Sequence, residues 1–270
     1  MSITKTMIDS RDIKELHPIL QVLTNEFLRI AKERNLPVAV TSTYRNHEMQ
    51  DYYYNVTKTT TVKGGYSYHN HRLAVDIVPL INGVPAWPQP AQYNWNRLGE
   101  TGESLGLEWG GRWTSFVDRP HYQMTFGLTC AEILNGKAIP QKIVRGCPDR
   151  RLVRLVQELV GVTVDGIFGD LTLAAVKRFI PSGEVDAAGL KLLLDRRNAA
   201  SQPTPVPVNE FSDVPTGHWS ASAFREMQKR GIITGYDENG KRVAGFGKPM
   251  ETERIVQLLW NLMQYLEGKK

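Results

Sequence analysis

Residues 67–78 read SYHNHRLAVDIV, two histidines and an aspartate in close succession, and another histidine follows in DRPH at 118–121. Imidazole nitrogens and a carboxylate oxygen are the donor set of a hydrolytic zinc ion, which takes three protein ligands and keeps one position open for water. The candidates are His69, His71, Asp76 and His121. If residues 69–71 are extended, His69 and His71 point to the same face, so type and spacing do not choose between them. Asp76 sits inside LAVDIV, an apolar run. A carboxylate there is costly to bury unless it is paired or coordinates a cation, which makes it the strongest single signal; a salt-bridged strand aspartate is the competing role. Asp118 lies three residues before His121, with Pro120 between. That turn can bring a general base near an attacking water. Taken alone, an aspartate opening a turn ahead of Arg119 and Pro120 is the plainer reading.

These residues need a scaffold that brings residue 69 to residue 121. Leu16, Ile19, Leu20, Leu23, Phe27, Leu28 and Ala31 recur at helical spacing over Ile13 to Arg34. LPVAVTSTY, LAVDIV and HYQMTF read as strands, and NRLGETGESLGL as a short helix before a turn. The connections are irregular rather than repeating βαβ units, so an α+β domain with a small antiparallel sheet is expected.

Two proline-, glycine- and charge-containing joints, GKAIPQKIVRGCPD (136–149) and NAASQPTPVPV (198–208), divide the 270 residues. The expected domains are 1–139, 140–198 and 209–268. In the middle one, Leu152, Leu155, Val156 and Leu159 share a face, VDGIFGD forms a loop with Asp170 as helix N-cap, Val176 and Phe179 point inward, and Leu190, Leu193 and Leu194 mark a third helix. An all-α three-helix bundle follows. The last segment reads as a small, mostly α module: helix SASAFREMQKR, the polar turn GYDENGK, then a helix with Ile255, Leu258, Leu259, Leu262, Met263 and Leu266 on one stripe.

The net charge is +5, with no basic stripe of interleaved aromatics, so nucleic acid is excluded as a partner and an anionic wall polymer is an electrostatic fit. Two cysteines, Cys130 and Cys147, rule out a disulfide framework and a thiolate zinc knuckle; a bridge between the two stays open. The first twenty residues are charged and carry no apolar signal core, and no run of 18 apolar residues occurs. Synthesis in the cytosol without membrane insertion is expected.

Four blocks, in order, resemble the zinc peptidases that include D-Ala-D-Ala carboxypeptidases and L-alanyl-D-glutamate peptidases: LHPILQVLTNEFLRIAKERN, TSTYRNHEMQ, SYHNHRLAVDIV, and GLEWGGRW followed by DRPHYQ. The resemblance covers about residues 8–128 and implies a Hedgehog/DD-peptidase-like fold. It implies His69, Asp76 and His121 as zinc ligands, His71 as a neighbour, Asp118 as catalytic base, and Arg45 as stabiliser of the developing oxyanion. Gln50 and Ser67 fall on positions lining the site. Trp109 and Trp113 are equally placed to line a substrate groove or to be core aromatics. Arg72 and Thr43 stand where the family usually has glycine. The last pair of blocks looks more like the L-alanyl-D-glutamate branch, so the expected substrate is the peptidoglycan stem peptide. The expected alternatives are a D-alanyl-D-alanine carboxypeptidase and a catalytically inactive wall-binding protein.

VDGIFGDLTLAAVKRF resembles the peptidoglycan-binding domain of wall hydrolases, with Ile180 where a glutamine is usual. EFSDVPTGHWSASAF, GIITGYDENG and the last helix resemble one S-layer homology module, with Thr252 in place of that family's arginine. Such modules imply anionic wall polymers as partners, and a single copy leaves two expectations open, a homo-oligomer such as a trimer or a weak auxiliary contact. The whole resembles a phage endolysin, made in the host cytoplasm and reaching the wall after holin-type release.

Overall fold

The computed structural model describes residues 4, 6–86 and 94–201, together with the backbone of strands 236–238 and 241–243. Residues Met1–Arg197 form one compact unit and Asn198–Lys270 a second.

The first unit opens with helix α1, Pro18–Glu33. Pro18 stands at its first helical position, where a missing N–H costs nothing, and His17 caps it by accepting from the Ile19 amide. Its buried stripe, Ile19, Leu20, Leu23, Phe27 and Ala31, is the one the sequence periodicity gives. Strand β1, Val38–Ser42, follows, then the short helix α2, His47–Tyr52, capped by Asn46. A 3-10 turn, Tyr68–His71, leads into the long strand β2, Ala74–Ile81, which pairs with the two-residue strand β3, Val84–Pro85. After helix α3, Trp95–Glu103, come β4, Glu108–Trp109, and β5, His121–Gln123. The sheet order is β1-β2-β5-β4, antiparallel throughout, with β3 beside β2. The α+β expectation for this part of the chain is met.

Alternation divides the sheet. Leu73, Val75 and Ile77 of the β2 region and Tyr122 of β5 face the core under α1, where Tyr122 meets Phe27 edge-on at 5.0 Å. Asp76, His121 and Gln123 must therefore point to the opposite face. Register completes the placement, because Asp76 pairs directly with His121 across the strands. On the other side Asp76 pairs with Ser42, where an irregularity between Val40 and Ser42 bends the end of β1.

Beyond the short helix α4, Cys130–Leu134, three helices follow: α5, Arg150–Val160; α6, Asp170–Lys177; and α7, Ala187–Ser201. Gly169, not Asp170, is the N-cap of α6; Asp170 is its first helical residue and pairs with Arg145 at 2.8 Å. Buried Gln157 of α5 organises the loop between α5 and α6. Its side-chain amide donates toward Asp165 Oδ1 (2.7 Å), Thr172 Oγ1 (3.0 Å) and the Ile167 carbonyl (3.1 Å), and its oxygen accepts from the Gly166 amide at 2.8 Å.

These helices are packed on the sheet lobe. Buried apolar residues run continuously from α1 and the sheet through Ile143, Leu152 and Val156 to Leu194. Asp149 caps α5 and accepts from the Phe126 amide of the sheet lobe at 3.0 Å. Arg151 pairs with Glu108 at 2.5 Å, and Arg197 with Glu26 of α1 at 2.8 Å. The 136–149 joint thus connects elements that share a core.

Cys130 and Cys147 are both free, and burial pushes the Cys130 thiol up to about 11. Among the described residues no helix is long and apolar enough to cross a membrane. In the second unit, strands β6, Tyr236–Glu238, and β7, Lys241–Val243, pair antiparallel within the stretch expected to turn. The rest of the segment read as an S-layer module lies outside the described residues.

Candidate metal centre

Three donor atoms converge on the polar face of the sheet. His69 Nε2 lies 3.1 Å from Asp76 Oδ1 and 3.2 Å from His121 Nδ1, and His121 Nδ1 lies 3.3 Å from Asp76 Oδ1. Among the described residues this trio is the one group of three or more such side chains positioned to hold a metal ion. His71 is not part of it; its Nε2 donates to the Gly65 carbonyl at 2.8 Å.

The far nitrogen of each imidazole fixes its tautomer. His69 Nδ1 is 2.7 Å from the Thr43 carbonyl, which can only accept, so that nitrogen carries the proton. His121 Nε2 is 2.9 Å from Gln123 Oε1 and donates there. As neutral rings both histidines therefore turn lone pairs toward each other and toward a carboxylate. Three acceptors within 3.3 Å repel one another unless a cation or a proton sits among them. A tetrahedral ion bound at about 2.0–2.1 Å spaces its ligand atoms about 3.3–3.4 Å apart, close to the triangle observed. The donor set fits a divalent metal.

A proton is the competitor. Burial disfavours charge on His121, but its hydrogen bond to Asp76 and the Asp76 charge outweigh this and raise its pKa. Burial likewise pushes the Asp76 carboxyl up, yet the charge of His69 and the hydrogen bonds and charge of His121 hold it well below the usual carboxylate range.

Asp118 lies beside the trio in the wall of a cleft of about 680 Å³, which His69, Asp76 and His121 also line. Its position is fixed through the backbone, where the Asp118 amide donates to Gly110 and its carbonyl accepts from the His121 amide. A Cβ on Gly110 would come within 2.5 Å of the Asp118 carbonyl, so this turn admits only glycine. Burial raises the Asp118 pKa, and the neighbouring Asp76 charge raises it further against the pull of His121, His69 and Arg45. A carboxylate with raised basicity next to a metal site is equipped to accept a proton.

Arg45, 8% exposed, is held on every side. It donates to Gln50 Oε1 at 2.9 Å and Ser42 Oγ at 3.1 Å, approaches Asp76 at 3.6 Å and Asp9 at 3.5 Å, and stacks on the Tyr53 ring at 4.7 Å. Asp9 braces the same group by accepting from Ser42 Oγ (2.5 Å) and the Tyr53 hydroxyl (2.9 Å).

The remaining expected residues separate. Ser67 lines the cleft. Gln50 is fully buried behind it, where its amide donates to Thr60 Oγ1 and the Val62 carbonyl; it holds Arg45 and the Thr59–Val62 wall in place rather than facing a ligand. Trp109, expected on a substrate groove, is a core residue. It is 3% exposed, its indole donates to the Arg119 carbonyl, and Gly99 and Gly111 lie so close to its ring that a Cβ on either would sit 2.2 Å away. Trp113 is the tryptophan in the cleft, 5.1 Å from the His121 ring, with its indole N–H donating to Glu108.

Asp9 and Tyr53 were not reachable from the sequence reading. No motif marks an aspartate 36 positions from the arginine it braces; the available signal was only its place just ahead of the first helical stripe. At the family's glycine position, Arg72 does adopt the left-handed conformation glycine favours, with φ 63°. It holds that conformation by pairing with Glu15 and lying over the Tyr44 ring at 4.0 Å. Thr43, at the other glycine position, is fully buried and bonds to the Ser10 and Asp12 carbonyls.

Comparison with known proteins finds relatives over the same part of the chain. Residues 60–124, which contain the whole trio and Asp118, match a family model described as D-alanyl-D-alanine carboxypeptidase. The chain is 32% identical over 123 residues to the peptidoglycan L-alanyl-D-glutamate endopeptidase CwlK of Bacillus subtilis (strain 168), covering 41% of this chain and 74% of that protein. It is 26% identical over 115 residues to the L-alanyl-D-glutamate peptidase of Listeria phage A118, covering 43% of this chain and 40% of that one. The crystal structure of the Serratia marcescens L-Ala D-Glu endopeptidase ChiX is similar at 25% identity and a TM-score of 0.33, over 44% of this chain and 90% of that one. By its match to CwlK, the chain belongs, through its N-terminal lobe, to the M15 family of peptidases.

Proposed function

We propose that the chain is a zinc-dependent endopeptidase that cleaves the L-alanyl-D-glutamate bond of the peptidoglycan stem peptide, and that it serves as a phage endolysin. The observation that carries this is the triangle of three acceptor atoms with a basic carboxylate beside it, in a lobe 32% identical to CwlK.

His69, Asp76 and His121 would hold the ion. When bound, zinc supplies a Lewis acid that polarises a carbonyl and brings a water toward neutral pKa, about 7 in favourable sites. Asp118 takes a proton from the attacking water and returns it to the leaving amine. Arg45 offers fixed positive charge where negative charge develops on the scissile carbonyl, and it is braced beforehand by Asp9, Gln50 and Ser42. Thr43 and Gln123 keep the two imidazoles in the ligating tautomer.

Helices α5–α7 are proposed to contact peptidoglycan, and the C-terminal segment to contact an anionic wall polymer as a homo-oligomer; neither contact is required for the chemistry. Two modest contacts on one chain raise residence on the wall by effective concentration. Release into the wall at lysis is part of the same proposal.

Mass spectrometry of defined muropeptides digested with and without chelator tests the reading. The expected products carry a new N-terminal D-glutamate and vanish with chelator. Loss of terminal D-alanine alone would instead support a D-alanyl-D-alanine carboxypeptidase, the reading favoured by the description of the matching family model. Wall binding without metal-dependent cleavage would leave an inactive binding protein.

A further inference from the structure

The cleft is lined by two guanidinium groups, and they differ in what they already hold. Arg45 is engaged by Gln50, Ser42, Asp9 and Asp76. Arg11 lines the same cleft, is exposed, and among the described residues has no hydrogen bond, ion pair or ring contact. The acids of the cleft do not pair with it: Asp9 is taken up by Ser42, Tyr53 and Arg45, Asp76 by the two histidines and Arg45, and Asp118 makes no ion pair with it among the described residues.

The backbone under Arg11 is nonetheless fixed. Asp9 bridges to Arg45, the Ser10 amide donates to the Tyr44 carbonyl at 2.8 Å, and the Thr43 amide donates back to Ser10 at 2.7 Å. On the other side the Asp12 carbonyl accepts from Thr43 Oγ1 at 3.1 Å. Arg11 is therefore a free cation on an anchored main chain, in the segment that also braces Arg45. A guanidinium presents paired N–H donors that match a carboxylate.

We propose that Arg11 binds the free carboxylate of the substrate glutamate, and so sets a preference for stem peptides whose glutamate is not amidated. The inference rests on the endopeptidase reading above. A glutamate in a peptide chain uses one carboxyl to continue the chain, and its other is either ionised or capped as an amide. Only the ionised form gains a charge-assisted pair with Arg11, and the amide forgoes it. Binding of this kind acts on the ground state and the transition state alike, so it appears in KM.

The test uses the full chain loaded with zinc and two synthetic stem peptides, identical except that one carries the free carboxylate and the other the carboxamide. The wild type is expected to favour the carboxylate by about five- to tenfold in kcat/KM, and the ratio should shrink as salt is raised. Arg11→Ala is expected to bring the ratio to about one, through KM for the carboxylate peptide. Arg11→Lys should keep part of it. Lys14→Ala, a nearby exposed cation that does not line the cleft, should leave the ratio at the wild-type value. Cleavage at the alanyl-glutamate bond with no carboxylate preference, or a preference that survives Arg11→Ala, overturns the proposal and leaves the endopeptidase reading standing. Cleavage of both peptides at a different bond overturns both.

Discussion

Two polar nodes in this molecule each centre on a side chain set into a packed element, and they differ in their balance of donors and acceptors. Around Gln157 the side chain meets an amide, a carboxylate, a carbonyl and a hydroxyl, and donors face acceptors. Around Asp76 three acceptors face one another, and the protons of both imidazoles point away to Thr43 and Gln123. The first node closes on itself and shapes a loop. The second is complete only with a positive charge from outside. Unbalanced donor count, more than burial or polarity, separates a functional centre from a structural one here.

The comparison is most directly broken at the unbalanced node. His121→Ala is expected to remove stoichiometric metal by elemental analysis and to lower hydrolysis by at least about 10³-fold, whereas Asp118→Asn should keep the metal and lose activity by about 10²–10⁴-fold. Equal metal loss in both would place Asp118 among the ligands. At the balanced node, Gln157→Ala leaves the Gly166 amide and its neighbours without their partner. A loss of about 2–3 kcal/mol in denaturant unfolding is expected, with hydrolysis of a short soluble peptide within about twofold of wild type. A third substitution sharpens the contrast, since Asp9 braces Arg45, Ser42 and Tyr53 and is not one of the three candidate ligands. Asp9→Asn should lower kcat by about tenfold while metal content and melting temperature stay at wild-type values.

The smallest effect concerns pH. Asp118 has a folded pKa above its unfolded value. Between those two values the folded state holds the proton that the unfolded state has lost, so stability falls as pH rises through that window. Chelator-treated protein should show this decline in thermal unfolding, and Asp118→Asn should flatten it. In the loaded enzyme the same group must be ionised to act, so activity should instead rise across the acid limb.

The sequence was informative where a side chain had to satisfy a rule that local context could reveal. Asp76 stood out because an apolar strand cannot bury a lone carboxylate cheaply, and α1 because its stripe repeats at helical spacing. The choice of His69 over His71 was not available from spacing, since residues 68–71 form a 3-10 turn and not a strand. Trp109 and Trp113 are the same residue type four positions apart, and only the sheet decides that one is enclosed by Gly99 and Gly111 while the other faces the cleft. Asp9 was invisible because its partners Ser42, Arg45 and Tyr53 are brought to it by the fold. The middle helices were readable as helices, but not their packing against the sheet lobe, which depends on Asp149, Arg151 and Arg197 finding partners distant in the chain.

That packing bears on how the chain can be recombined with foreign domains. Glu108 accepts from Arg151 of α5 with one oxygen and from Trp113 with the other, and Trp113 lies against His121 of the candidate metal centre. A chimera that cuts the polypeptide near residue 140 and fuses a foreign targeting cassette would strip the catalytic lobe of this clasp and bare the apolar surface beneath it. Exchangeable parts should be joined after Ser201, past the end of the first compact unit and of α7.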